Sequence, residues 1–305
     1  MKSKLLALVS ITLALTLAAL DPAAAQHTDS PAAGTPAASG STRTDGRILY
    51  HNGPVMEGTS AVYFIWYGCW GTVNCGQSGD PYIQAILIDF ASNLGSSPYF
   101  LINAGYPNAG GRAPNGALIY GGSVGDQYSR GPTLSEADVA AIVADQMKNG
   151  GLPLDTAGIY VVLTSADVTV VDGDTQFCVT CCQLHGTGLF LGSTFKYVFV
   201  GNPRRCPSSC AAEYAQPSPN DNTAGDAMAS WLAYALNATV TNPTGTGWYD
   251  RNGLENSEKC EGTFGTTYPA QNGGPANVRL GQRDFLLQQN WVNGRKGHCA
   301  MSYLQ

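Results

Sequence analysis

The chain has 305 residues, a formal net charge of −6 and only 12% charged residues. Its Lys and Arg residues are scattered, which excludes the basic stripe that a nucleic-acid partner needs to displace counterions. Beyond the N-terminal twenty residues no apolar stretch is long enough to cross a bilayer.

Lys2 and Lys4 precede an apolar run from Leu5 to Leu20, followed by Asp21-Pro22 and Ala23-Ala24-Ala25. Positive charge, apolar segment and small-residue site in that order predict a secretory signal peptide over 1–25, cleaved after Ala25. A membrane anchor is the alternative, but the run is marginal for a span and no stop-transfer charge follows it. Residues 26–45 are Pro, Ala, Gly, Ser and Thr with almost no large apolar side chain. Such a segment cannot bury enough surface to offset its ordering entropy and reads as a linker. Residues 46–305 then form a single domain with no internal repeat.

Within that domain Val62 to Tyr67 is rich in strand formers and predicts a buried strand. Asp80-Pro81 opens a helix, with Asp as N-cap and Pro at the first helical position. Ile83, Leu87, Phe90 and Leu94 share one face of that helix, and Gly95 ends it. Ala117 to Tyr120 suggests a strand. Thr133-Leu-Ser-Glu136 reads as a capping box before a helix that buries Val139, Ile142, Val143 and Met147. Residues 158–164 and 195–200 are strong strands. An amphipathic helix is expected from about Ala224 to Ala238, with Met228, Trp231, Leu232, Ala235 and Leu236 inward. The Gly-rich remainder needs disulfides to hold it. The order predicts an α/β fold, a mixed sheet with packed helices.

Nine cysteines are present, and in an oxidising compartment most should pair, leaving an odd one. Cys69–Cys75 is the expected local bridge, and Cys206–Cys210 is a further local option. Cys178, Cys181, Cys182 and His185 have spacings that zinc could use, but a secreted chain oxidises such thiols, so disulfides are favoured. His185 is then expected to be a ring held by backbone groups in a cystine-rich loop. Gly121-Gly-Ser123-Val-Gly125 matches a nucleophile-elbow string, yet no helical periodicity follows it. Asp250 to Glu258 is an acidic loop that does not fit an EF-hand and reads as a solvated turn. Trp70, Trp248 and Trp291 could stack on sugars or fill the core.

Several stretches in combination resemble the Exordium family, also called phosphate-induced protein 1. They are Val161-Val-Leu-Thr164 with Asp167-Val168, Phe177-Cys178 through His185-Gly186, and Tyr197-Val-Phe-Val-Gly201-Asn202. Cys206-Pro-Ser-Ser-Cys210, Thr239-Val-Thr241-Asn242-Pro243, Cys260-Glu-Gly-Thr-Phe-Gly265 and Ile65-Trp66-Tyr67-Gly68 complete the set. Such proteins are secreted, best known from the plant cell wall and apoplast, with bacterial relatives and a role linked to growth and nutrient status. The resemblance puts Cys178, Cys182, Cys206, Cys210, Cys260 and Cys299 on family positions and leaves Cys69, Cys75 and Cys181 as extras. If the first two pair, Cys181 is the thiol left over.

The stretch Trp231 to Cys260 is also similar to secreted zincin-type metalloproteases. Thr241-Asn242-Pro243, Trp248-Tyr249-Asp250, Gly253, Glu255 and Cys260 keep that frame, which implies a zincin-like scaffold. Tyr234 and Ala235 stand where the zinc His and catalytic Glu would be, and neither can serve as ligand or base. Together these likenesses imply a non-catalytic, disulfide-stabilised extracellular protein without metal or cofactor. Its expected partner is a cell-wall or extracellular component such as a glycan, with no membrane span once the signal is cut. The binding surface is expected near His185, Trp248, Tyr249 and Asp250. A secreted peptidase or glycan hydrolase with an unrecognised site is the alternative.

Overall fold

The structure, a computed structural model, describes residues 25–26, 46–71, 75, 80–211, 217–294 and 296–303. The leader and the linker expected over 1–45 lie outside the described residues, apart from the backbone of 25–26. Five strands make the body of one six-stranded sheet: β1 (Gly58–Tyr67), β2 (Pro114–Asp126), β3 (Ile159–Thr164), β4 (Gln183–Phe190) and β5 (Ser193–Val200). Their spatial order is β4-β5-β3-β1-β2, and Ala25–Gln26 pairs outside β4. All neighbours are parallel except β4, which runs antiparallel to β5. The expected mixed α/β fold is therefore present.

Three helices cover the sheet: α1 (Pro81–Leu94), α2 (Glu136–Lys148) and α3 (Thr223–Thr241). The crossover from β1 to β2 and the one from β2 to β3 step in opposite directions along the sheet. Right-handed crossovers in opposite directions put α1 and α2 on opposite faces. The side chains follow this division. Tyr63, Tyr160 and Tyr197 form one row across the sheet, on the α2 side, where Glu136 and Asp172 raise the Tyr197 pKa after burial has raised it first. One residue on, Phe64, Val161 and Val198 are fully buried on the other side, and His185 is next in that row. Each of the three apolar side chains contributes about 1.5–3 kcal/mol by leaving water.

Local chemistry explains most boundaries and corrects some. Asp80 caps α1 through the Tyr82 and Ile83 amides, as its spacing predicts. Gly95 ends α1 without a left-handed turn, since its φ is −57°. Glycine is needed there because a Cβ would sit 2.1 Å from the Leu118 carbonyl. The capping box of α2 is shifted two residues from the predicted one. Ser135 is the N-cap and Asp138 closes the box, because Thr133 is drawn into pairing with Thr169. The second predicted strand is longer than Ala117–Tyr120, and β4 was hidden by its two glycines and by its cysteine-rich approach.

Helix α3 departs most from expectation. It is not amphipathic, because every residue from Ala224 to Thr241 is buried. It packs against α1, β4 and β5, with the C-terminal segment on its remaining side. Its polar side chains are matched: Asp226 accepts from Asn220, the Ser230 Oγ accepts from the Gln288 amide, and Thr239 and Thr241 donate to carbonyls one turn back. Such a helix is a core element, apolar all round with its few polar groups partnered.

The disulfides are Cys69–Cys75, Cys178–Cys206, Cys182–Cys210 and Cys260–Cys299. The local Cys206–Cys210 option is not used. Both residues flank one short helical turn, and each reaches back to the loop before β4. Cys181 is buried beside those two bridges and belongs to neither.

Candidate functional site

Ser123 is not on an elbow. It lies inside β2, exposed, paired with Phe64. The register row runs Ser123, Phe64, Val161, Val198, His185. Four inter-strand steps of about 4.8 Å put Ser123 roughly 19 Å from His185. The two cannot form a nucleophile–base pair, which needs hydrogen-bond contact.

His185 sits in strand β4, not in a loop, and a carboxylate holds it rather than the backbone. Its Nε2 lies 2.9 Å from Glu255 Oε2, and the ring is 1% exposed. Burial alone would lower the imidazole pKa. The charge and hydrogen bond of Glu255 outweigh burial and raise it above its ordinary value. Glu255 is fixed on its other oxygen by the Asn242 Nδ2 at 2.5 Å, and Asn242 is the C-cap residue of α3. The same asparagine accepts from the Gly247 amide through Oδ1. This pair therefore joins the sheet edge, the end of the core helix and the following loop.

Glu258 closes the loop on itself, its Oε2 accepting the Glu255 amide at 2.7 Å. Burial, then the neighbouring Glu255 charge, raise its carboxyl to a pKa of about 8. Next along the chain, Lys259 Nζ meets Asp250 Oδ2 at 2.9 Å, both buried, and lies over the Trp291 ring at 4.9 Å. Burial raises the Asp250 pKa, but Lys259 and the Asn252 and Leu254 amides outweigh it and hold the carboxyl below its usual range. The acids of this loop, Asp250, Glu255 and Glu258, are thus turned inward, while its tip at 251–253 is the exposed turn its composition suggests. Among the described residues no group of three or more His, Cys, Asp or Glu side chains could hold a metal ion.

Beneath the loop lies a second polar layer. Asn103 donates to Asn237 and accepts from Asn256 and Asn290, and Asn237 donates to the Tyr99 hydroxyl. All four asparagines are fully buried. They tie α3 to the irregular C-terminal segment where no strand ladder does so.

The outer part of the site is a two-stranded antiparallel ribbon, Leu49–Tyr50 with Trp248–Tyr249. Period-two alternation gives it two faces. On the inner face Trp248 contacts Tyr50 and stands edge-on to the buried Tyr106, while its indole N–H donates to the Pro107 carbonyl. On the outer face the His51 ring is stacked on Tyr249 at 3.5 Å and 3°. Leu49 beside them is 54% exposed. Trp70 and Trp291, the other tryptophans considered for sugar stacking, are buried.

The four residues singled out from sequence are strung on or against one loop, but they do different things. Trp248 and Tyr249 are at the surface, half-buried. Asp250 and His185 are internal and ion-paired. Glu255, Glu258 and Lys259 were missed as partners, and so were Tyr50 and His51, which come from about two hundred residues earlier in the chain. Tyr234 and Ala235, at the metalloprotease positions, are buried in the middle of α3.

Fold and site define a class: a disulfide-braced α/β domain with a closed, ion-paired polar centre and an aromatic ribbon at its surface. Residues 48–296 match the phosphate-induced protein 1 conserved region, and the chain belongs to that family. It is similar to the protein EXORDIUM-like 1 of Arabidopsis thaliana, with 32% identity over 281 residues, 78% of this chain and 84% of that protein. It is similar also to EXORDIUM-like 3 of the same plant, at 29% over 280 residues and 80% of each chain. PHOSPHATE-INDUCED 1 of Nicotiana tabacum is 30% identical over 257 residues, 74% of this chain and 76% of that one. No solved structure matches the chain. No helix among the described residues is long and apolar enough to cross a membrane.

Proposed function

We propose that the chain is a secreted, non-catalytic member of the phosphate-induced protein 1 family that binds a cell-wall or extracellular polysaccharide. The observation that carries this reading is the division of labour in the site. The titratable groups His185, Glu255, Asp250 and Lys259 are spent on one another inside the fold, while aromatic rings stand at the surface. A catalytic site needs such groups convergent on a substrate, whereas a binder needs a platform. Export rests on the N-terminal sequence and on the four bridges, which persist in an oxidising compartment. The mature chain is expected to begin at Gln26, read by N-terminal sequencing of the exported protein.

A hydrolase is the second reading, favoured by one observation: a buried carboxyl with a pKa near 8 is the kind of group that general-acid chemistry uses. One experiment separates the two. Purified protein is incubated with insoluble wall polysaccharide, and both sedimented protein and released sugar or peptide are measured. Co-sedimentation that Tyr249→Ala weakens, with no product released, is the expected result. Product release that Glu258→Gln abolishes and Ser123→Ala leaves intact would establish the hydrolase instead.

A further inference from the structure

The hairpin that joins β4 to β5 ends in an apolar tip. From Gly186 to Phe195 the chain reads Gly-Thr-Gly-Leu-Phe-Leu-Gly-Ser-Thr-Phe, with no charged residue. Phe190 pairs with Ser193, so the turn is the two residues Leu191 and Gly192. Their φ angles are 49° and 77°. A two-residue turn with both φ positive favours Asn-Gly or Asp-Gly, because those side chains tolerate the left-handed backbone and are at home in water. Leucine is unfavourable there on both counts. Leu191 is 83% exposed and adds almost nothing to the core, and Leu189, two residues before it, is 47% exposed.

The short N-terminal strand indicates what this tip faces. Ala25 pairs with Gly186 and Gln26 with His185, antiparallel to β4. The chain therefore comes to Ala25 from the hairpin end of β4. What precedes Ala25 in sequence is the apolar run Leu5 to Leu20, the segment of the chain best suited to a bilayer. Leu20 lies five residues before Ala25, a reach of at most about 17 Å. Phe190, at the tip, lies four strand residues beyond Gly186, about 14 Å along β4. A bilayer that takes up the run is thus within reach of the tip, at the same end of the sheet.

We infer that the hairpin tip, Leu189, Phe190 and Leu191, is a lipid-contacting foot that dips into the interfacial layer of a membrane and holds the domain weakly at that surface. The strand ladder is closed up to the turn, so little unpaired backbone would enter lipid with the side chains. A projecting turn suits a fluid surface, whereas a peptide partner is met by a groove. The hairpin carries no charge and the chain as a whole is acidic, so the contact is apolar and the lipid zwitterionic. This inference is independent of the polysaccharide reading.

The test is flotation with phosphatidylcholine vesicles of the full chain from Gln26, so that the leader itself cannot be what binds. The expected result is binding that salt does not weaken. Leu191→Asn should reduce it roughly tenfold or more, the share of one leucine leaving water, and Leu189→Thr should reduce it by a similar factor. Leu191→Asn should at the same time raise the melting temperature by about 2–4 °C, because asparagine accepts the left-handed turn. Loss of binding with a gain in stability is a result that misfolding cannot imitate. Ile119, 54% exposed on β2 at the opposite edge of the sheet, gives the control: Ile119→Thr should leave binding unchanged. No flotation, or flotation that both hairpin variants leave intact, overturns the inference. Flotation that requires anionic lipid and disappears in about 1 M salt overturns it too, since the contact would then be one of charge. Self-association that Leu191→Asn abolishes, without flotation, overturns it by assigning the tip to a second copy of the chain.

Discussion

The sheet half of the molecule, 58–200, and the C-terminal segment, 242–303, are held by different physics. In the first, apolar strands and one-sided helices bury side chains against each other, and the backbone is satisfied by ladders. Among the described residues of the second, the strands are ribbons of two or three residues each. Its order comes from two buried ion pairs, a cluster of asparagines and one disulfide to the last strand. The difference teaches that a short, Gly-rich segment can be as fixed as a sheet when each of its buried polar groups finds a specific partner. It is also more fragile, since a lost methylene leaves a small void whereas a lost partner leaves a buried charge.

The largest expected effect breaks that second kind of order. Glu255→Ala leaves the His185 ring buried without its carboxylate. Removing one partner of a buried pair costs about 3–5 kcal/mol, and a domain of this size loses roughly 2–4 °C of melting temperature per kcal/mol. A fall of about 10 °C by calorimetry is expected, with protease sensitivity appearing first in the 242–303 segment. A change under about 1 kcal/mol would mean that the pair is no more than a surface contact.

The bridges give the next comparison. Cys260 and Cys299 are 39 residues apart, and Cys69 and Cys75 are 6 apart. On the loop-entropy account the first bridge contributes about 4 kcal/mol and the second about 2 kcal/mol. Replacing both cysteines by serine should therefore destabilise the C-terminal pair about twice as much. Chemical denaturation of the two double variants measures this, and equal losses would break the loop-length account of the difference.

The last comparison is a matter of pH. Glu258 has its folded pKa raised to about 8, against an ordinary carboxyl value of about 4.3. Between those values the folded state holds a proton that the unfolded state has released, so stability falls as pH rises through that window. His185 acts in the same direction: its raised pKa gives stability that is complete below about 6.5 and is lost as pH rises through the folded value. Asp250 acts oppositely, since its lowered pKa gives stability that is lost only as pH falls below its ordinary range. The melting temperature should therefore be higher near pH 5 than near pH 8, and Glu258→Gln should flatten that slope. A melting temperature that rises with pH over this window would show that the buried carboxyl is ionised in the fold.

Periodicity and capping chemistry were readable along the chain because they are local. Asp80-Pro81, the apolar face of α1, the three strong strands and the cysteine-rich stretches announced themselves, and the family likeness rested on strings of adjacent residues. What could not be read was pairing at a distance. Leu49 and Trp248 are polar-loop neighbours in composition and become one ribbon only by register. The helix 223–241 looks one-sided until the C-terminal segment covers its other face. His185 and Glu255 are 70 residues apart, and nothing local to either says that they meet.

The sequence by itself determined the class of fold, the order of its main elements, the family, and the surplus cysteine, because each depends on neighbours in the chain or on composition. The tertiary structure decided which acids are internal, which cysteines are joined, and which rings face solvent. Burial depends on what covers a side chain, and a charge turns inward only where a partner from another part of the chain outweighs its loss of water.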